Sequence, residues 1–69
     1  MKRQPVASSN IAEVGYDERQ RTLEVLFHNG TVYQYFEVPP QIYTELLQSS
    51  SVGKYLNANV KGHFRYARV

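Results

Sequence analysis

The tightest constraint on this chain is the dipeptide Asn29-Gly30, set between Thr22–His28 and Thr31–Val38. Both flanks are rich in β-branched and aromatic residues, and Asn-Gly supplies the positive φ angles of a two-residue hairpin turn. That turn fixes a register in which His28 opposes Thr31, Phe27 opposes Val32, Leu26 opposes Tyr33, Glu24 opposes Tyr35 and Leu23 opposes Phe36. Alternation then puts Leu23, Val25, Phe27, Val32, Phe36 and Val38 on one face, with Gln34 its single polar member, and this face is the expected core. The other face carries Glu24, Leu26, His28, Tyr33 and Tyr35.

The segments around the hairpin complete an α+β domain. Ile11–Tyr16 reads as a first strand, followed by a charged turn at Asp17–Arg21. Pro39-Pro40 ends the hairpin and can open a helix, because a proline at the first helical position sacrifices no needed N–H. Ile42, Tyr43, Leu46 and Leu47 form an apolar stripe that should stop near Gln48. Ser49-Ser50-Ser51 supplies a break and an N-cap for a second helix, with Val52, Tyr55, Leu56 and Val60 on one side and Gly62 as its stop. His63–Val69 reads as a last strand or an extended tail, and residues 1–7 as a flexible arm. The expectation is one domain over residues 1–69: a small antiparallel sheet of three or more strands, with its hairpin at 22–38, packed on two short helices.

With 69 residues and no cysteine, such a domain has neither disulfides nor thiolate metal ligands to add to a thin core. No apolar stretch approaches the roughly 20 residues needed to span a bilayer, and the basic N-terminus lacks the apolar segment of a signal peptide. A cytoplasmic location is the simplest expectation. His28 and His63 have no partner at a metal-binding spacing, and neither a glycine-rich phosphate loop nor a nucleophile elbow is present. We therefore expect no enzyme activity, no cofactor and no metal.

Charge and aromatic placement point to binding. Residues 1–38 set Lys2, Arg3, Arg19 and Arg21 against Glu13, Asp17, Glu18, Glu24 and Glu37, a balance of −1. Residues 39–69 set Lys54, Lys61, Arg65 and Arg68 against Glu45 alone, a balance of +3. An acid-free basic segment suits phosphate, since each neutralised phosphate releases counterions. Six tyrosines and three phenylalanines accompany it. Tyr33 and Tyr35 project from one sheet face about 7 Å apart along the strand, as in the platforms on which RNA bases stack. The interleaved run Lys61–Arg68 adds Arg65, Tyr66 and Arg68, which can pair phosphates and stack on bases. The candidate nucleic-acid-binding residues are therefore Tyr33, Tyr35, Lys61, Arg65, Tyr66 and Arg68, with RNA or tRNA as ligand. Two other arrangements fit the same residues. Phe64 and Tyr66 can cover the tyrosines, or the tyrosine face with Leu26 can meet another protein chain or a second copy.

The ordered set Tyr16-Asp17, Leu23-Glu24-Val25, Phe27, Gly30, Tyr33-Gln34-Tyr35-Phe36, Val38-Pro39, Tyr43, Leu46, Ser51–Asn57 and Phe64-Arg65-Tyr66 resembles the KTSC domain. The resemblance covers roughly residues 8–69 and includes the family's Tyr-x-Tyr at Tyr33 and Tyr35. It implies a short domain of the kind found at the C-terminus of some lysyl-tRNA synthetases and as stand-alone small bacterial proteins. That company suggests an association with tRNA, by neighbourhood rather than by mechanism.

Overall fold

The computed structural model covers Met1–Val69. Strands β1 (Arg3–Pro5), β2 (Ile11–Asp17), β3 (Thr22–Phe27), β4 (Val32–Tyr35) and β5 (Tyr66–Arg68) form an antiparallel sheet in sequence order. Helices α1 (Pro40–Gln48) and α2 (Val52–Asn59) interrupt the meander between β4 and β5. Where a free arm was expected at the N-terminus, Arg3–Pro5 instead pair with Gly15, Val14 and Glu13 as an edge strand. Its polar, proline-ended sequence shows no alternation, so only the pairing partner reveals it.

The hairpin forms at Asn29-Gly30, but with a different loop. The Gly30 N–H donates to the Phe27 carbonyl, and the Phe27 N–H donates to the Thr31 carbonyl, each at 2.9 Å. Gly30 has φ +90°, so the loop holds three residues, His28-Asn29-Gly30, a turn closed by a glycine bulge. The register consequently moves by one: Leu26 opposes Val32, Val25 opposes Tyr33 and Leu23 opposes Tyr35. A one-residue slip exchanges the faces of a strand. Tyr33 and Tyr35 therefore join Leu23, Val25 and Phe27 on the helix-facing side, while Val32 and Phe36 leave the expected core. Glu37, at φ +58°, then breaks the alternation and returns Val38 to the core, where it is fully buried.

A second irregularity arranges β2. Ile11 opposes Phe27 and Glu13 opposes Leu26, which leaves Ala12 as an extra residue. The bulge places Ile11 and Val14, three apart, on the same face, and both are buried. From the helices Leu46, Val52, Leu56 and Val60 pack down on Ile11, Val14, Leu23, Val25, Tyr35 and Val38. Tyr43 of α1 stacks on Tyr16 at 5.3 Å between centroids, and the Tyr16 hydroxyl donates to the Val38 carbonyl. The expected caps are in place. Pro40 opens α1, the Ser51 hydroxyl accepts from the Lys54 N–H at 3.3 Å, and Gly62 turns the chain after α2 at φ +82°.

The opposite sheet face has no helix on it and is tied by charge. Arg3 reaches Glu13 at 3.1 Å and Glu24 at 3.0 Å, and Glu24 also accepts from the Gln34 amide at 2.8 Å. This chain of contacts crosses β1 to β4 and occupies two of the chain's six carboxylates.

Candidate nucleic-acid interface

Leu46, Val52, Leu56 and Val60 pack over core residues of β2, β3 and β4, whereas Tyr66 on the edge strand β5 stays 62% exposed. There β5 lays Tyr66 opposite Tyr35 and Arg68 opposite Tyr33, so all four share the helix-facing side. Tyr66 lies 5.7 Å from Tyr33 and 5.9 Å from Tyr35, in tilted geometry. Phe27 and Tyr35 meet Tyr33 edge-on at 5.6 and 6.4 Å. The result is a shelf of aromatic rings that starts in the core and ends in solvent. Tyr35 is 2% exposed and Tyr66 is 62% exposed, with Tyr33 half-buried between them.

Burial raises the Tyr35 phenol above its ordinary value, helped by the neighbouring Tyr33 and Tyr66 hydroxyls. Tyr35 thus remains a neutral phenol at physiological pH. Its ring has almost no free surface, and its place is to support the two outer rings rather than to offer a face of its own.

Cations flank the shelf. Lys61 follows the buried Val60 at the end of α2, and its Nζ sits 5.6 Å from the centroid of Phe27. Lys61, Gly62, Tyr33, Tyr35 and Tyr66 together line a cleft of about 390 Å³. Arg68 borders Tyr33 from the other side through the β4–β5 register. Neither Lys61 nor Arg68 is among the ion-paired cations, which are Arg3 and Arg65.

Of the six residues singled out in the sequence, Tyr33, Tyr35, Lys61, Tyr66 and Arg68 converge on this shelf. Arg65 is held elsewhere. It precedes β5, its carbonyl accepts from the Phe36 N–H, and its guanidinium pairs with Glu37 at 2.6 Å. The covering arrangement is also present in part, because Tyr66 packs on both other tyrosines. Phe27 was assigned to the core yet forms the inner end of the shelf; only its closeness to Lys61, a non-local contact, reveals that role.

Fold and site together define a small α+β module whose most distinctive surface is an aromatic edge shelf between unpaired cations. The chain belongs to the KTSC domain family, whose model matches residues 7–64. It is 44% identical over 62 residues to a protein of Tsukamurella paurometabola, covering 90% of this chain and 92% of that one. It is 41% identical to a protein of Stutzerimonas stutzeri, across 100% of this chain and 99% of the other. It is also 34% identical to a lysine–tRNA ligase of Nostoc punctiforme, matching 88% of this chain but only 11% of the ligase. The crystal structure of a KTSC domain protein from Yersinia pestis superposes with a TM-score of 0.96 at 35% identity, covering 99% of this chain and 96% of that one. No helix is long and apolar enough to cross a membrane.

Proposed function

We propose that this domain is a non-catalytic binding module that takes an unpaired RNA base on Tyr66 and Tyr33, with Lys61 and Arg68 on the adjoining phosphates. One observation carries the reading: a ring 62% exposed, packed on two tyrosines, shares a cleft with Lys61 and its sheet face with Arg68, two cations that form no ion pair. A base stacked on such a ring is worth about 1–3 kcal/mol. Because Tyr66 is already fixed by its neighbours, little rotamer entropy remains to be lost on binding. The kinship with a segment of lysine–tRNA ligases supports tRNA as the first RNA to try. The small number of free cations implies weak binding with a shallow salt dependence.

Fluorescence anisotropy with tRNA and with single-stranded RNA at low and moderate salt tests this reading. Tyr66→Ala should weaken binding by roughly 5- to 150-fold, the equivalent of one stacked base. Lys61→Gln and Arg68→Gln should each lower the salt slope by about 0.7. No binding at low salt, or full binding by Tyr66→Ala, would overturn it. The rival reading is a protein contact through the free edge of β5, where another strand can add. Concentration-dependent association in sedimentation, abolished in Tyr66→Ala and indifferent to RNA, would favour that instead.

A further inference from the structure

The aromatic shelf does not end at Tyr33. Beyond it, toward the hairpin tip, lies a second hollow of about 200 Å³ lined by Phe27, Asn29, Thr31, Tyr33 and Lys61. A third, of about 380 Å³, follows among Ser9, Asn10, Phe27, His28, Asn29 and Lys61. Lys61 lines all three hollows, so they run in series beneath one ammonium. None of the three has a carboxylate in its wall. Four of the six acidic side chains are engaged elsewhere: Glu13 and Glu24 by Arg3, Glu37 by Arg65, and Glu45 by Tyr55.

We infer that these hollows form one track for a short single-stranded RNA segment, one nucleotide to each, with Asn10 reading a base at the hairpin end. This rests on the proposed RNA reading and specifies its ligand. Two features support a stretched single strand over a duplex. The rings step from Phe27 to Tyr33 by 5.6 Å and from Tyr33 to Tyr66 by 5.7 Å. The rings are not parallel, Phe27 lying at 73° and Tyr66 at 46° to Tyr33, so bases seated on their faces cannot keep the parallel stacking of a duplex strand. The hairpin end then changes character from aromatic to amide. The Asn29 side-chain oxygen accepts from the Thr31 N–H at 3.0 Å, and His28 Nε2 contacts the Ser8 carbonyl at 2.9 Å. The Asn10 amide, by contrast, makes no hydrogen bond within the chain. Its backbone is anchored on both sides, with its N–H on the Ser8 hydroxyl and its carbonyl accepting from the His28 N–H. An exposed amide with no partner in the chain offers one donor and one acceptor to a base edge, the pattern that asparagine uses on adenine.

The test is anisotropy with RNA and DNA oligomers of two to six nucleotides, of A, U and C sequence, and with a longer RNA duplex, on the wild-type protein, Asn10→Ala and Tyr66→Ala. Affinity should rise up to three nucleotides and then level off. Asn10→Ala should erase most of a several-fold base preference while leaving binding itself in place, with an unchanged melting temperature. A plateau already at two nucleotides, together with an inert Asn10→Ala, overturns the track but leaves the Tyr66 shelf standing. Equal affinity for duplex and single strand overturns it as well. Failure of every oligomer to bind at low salt removes both readings.

Discussion

Replacing Gly30 by alanine isolates the backbone geometry that decides which residues face the helices. Gly30 holds φ +90°, and a Cβ built on it meets nothing within 4 Å. The substitution therefore adds no clash and loses no contact, and its whole cost is conformational. An L-residue forced into left-handed backbone costs about 1–2 kcal/mol. For a domain of this size each kcal/mol moves the melting temperature by about 4–8 °C, so Gly30→Ala should melt ~5–15 °C below the parent. Asparagine tolerates positive φ better, because its side chain hydrogen-bonds locally, and Gly30→Asn should lose distinctly less. Gly53, inside α2, provides the opposite control. Its added Cβ would sit an ordinary 3.6 Å from the Ser8 Oγ, and at the second position of the helix, where no positive φ is needed, the substitution should be neutral to stabilising, by up to about 0.5–1 kcal/mol. Thermal unfolding followed by circular dichroism measures all three variants. Equal melting of Gly30→Ala and the parent, or a shift of Gly30→Ala and Gly53→Ala in the same direction, would refute the assignment of a strained glycine bulge.

Two further perturbations address other parts of the fold. The Tyr55 hydroxyl donates to Glu45 at 2.7 Å, linking α2 to α1. The bonds from Tyr55 and Gln41 hold the Glu45 carboxyl below its ordinary 4.5, so its contribution is present above that value and is lost as pH falls through the lower folded one. Partial desolvation, then the hydrogen bond to Glu45 and its charge, push Tyr55 up from 10.0 to about 12, so its share persists below 10.0 and is lost as pH rises through about 12. Glu45→Gln should accordingly flatten part of the acid limb of melting temperature against pH, and Tyr55→Phe the alkaline limb; unchanged limbs would show that the helix-to-helix bond carries no stability. At the other edge of the sheet, a Cβ on Gly15 would lie 2.7 Å from the Lys2 carbonyl oxygen and 2.9 Å from the Arg3 Cγ. Gly15→Ala should thus displace β1, costing about 1–3 kcal/mol and releasing amide protection in residues 3–5 while β3 and β4 stay protected. Retained protection of β1 in hydrogen exchange would contradict that.

Local signals in the chain were sufficient for the hairpin and both helices, though not for the edge strand β1. Asn29-Gly30 marks the hairpin, Pro39-Pro40 the entry to α1, Ser51 the cap of α2 and Gly62 its stop, because each depends on the conformational limits of one or two residues. The candidate site was legible to the extent that it follows from residue type: rings and cations near the C-terminus. Arg65 could not be separated from Arg68 by type, since only the position of Glu37 across the strand end removes one and not the other. Asn10 and Phe27 gave no signal at all, as their neighbours are brought together by the hairpin and by the end of α2.

What the sequence by itself determined is an α+β module with a hairpin centred on Asn-Gly that carries Tyr33 and Tyr35, two proline- and serine-bounded helices, and an acid-free, basic C-terminal third. What only the tertiary structure decided is the side on which those tyrosines stand. Asn-Gly closes a two-residue turn and a three-residue bulged loop alike, and the two differ by one residue of register. The choice falls to contacts remote in sequence. In the observed register Leu23, Val25 and Tyr35 are buried together with Val14 of β2 and with Leu46 and Leu56 of the helices. Leu23 and Val25 face the helices in either register, so what the slip changes is β4: Tyr35 is buried in place of Gln34, whose amide is released to bond Glu24 on the open face, and that gain outweighs a local preference between two permissible turns. The same slip brings Tyr33 and Tyr35 beneath Tyr66 and turns a sheet face into an edge shelf.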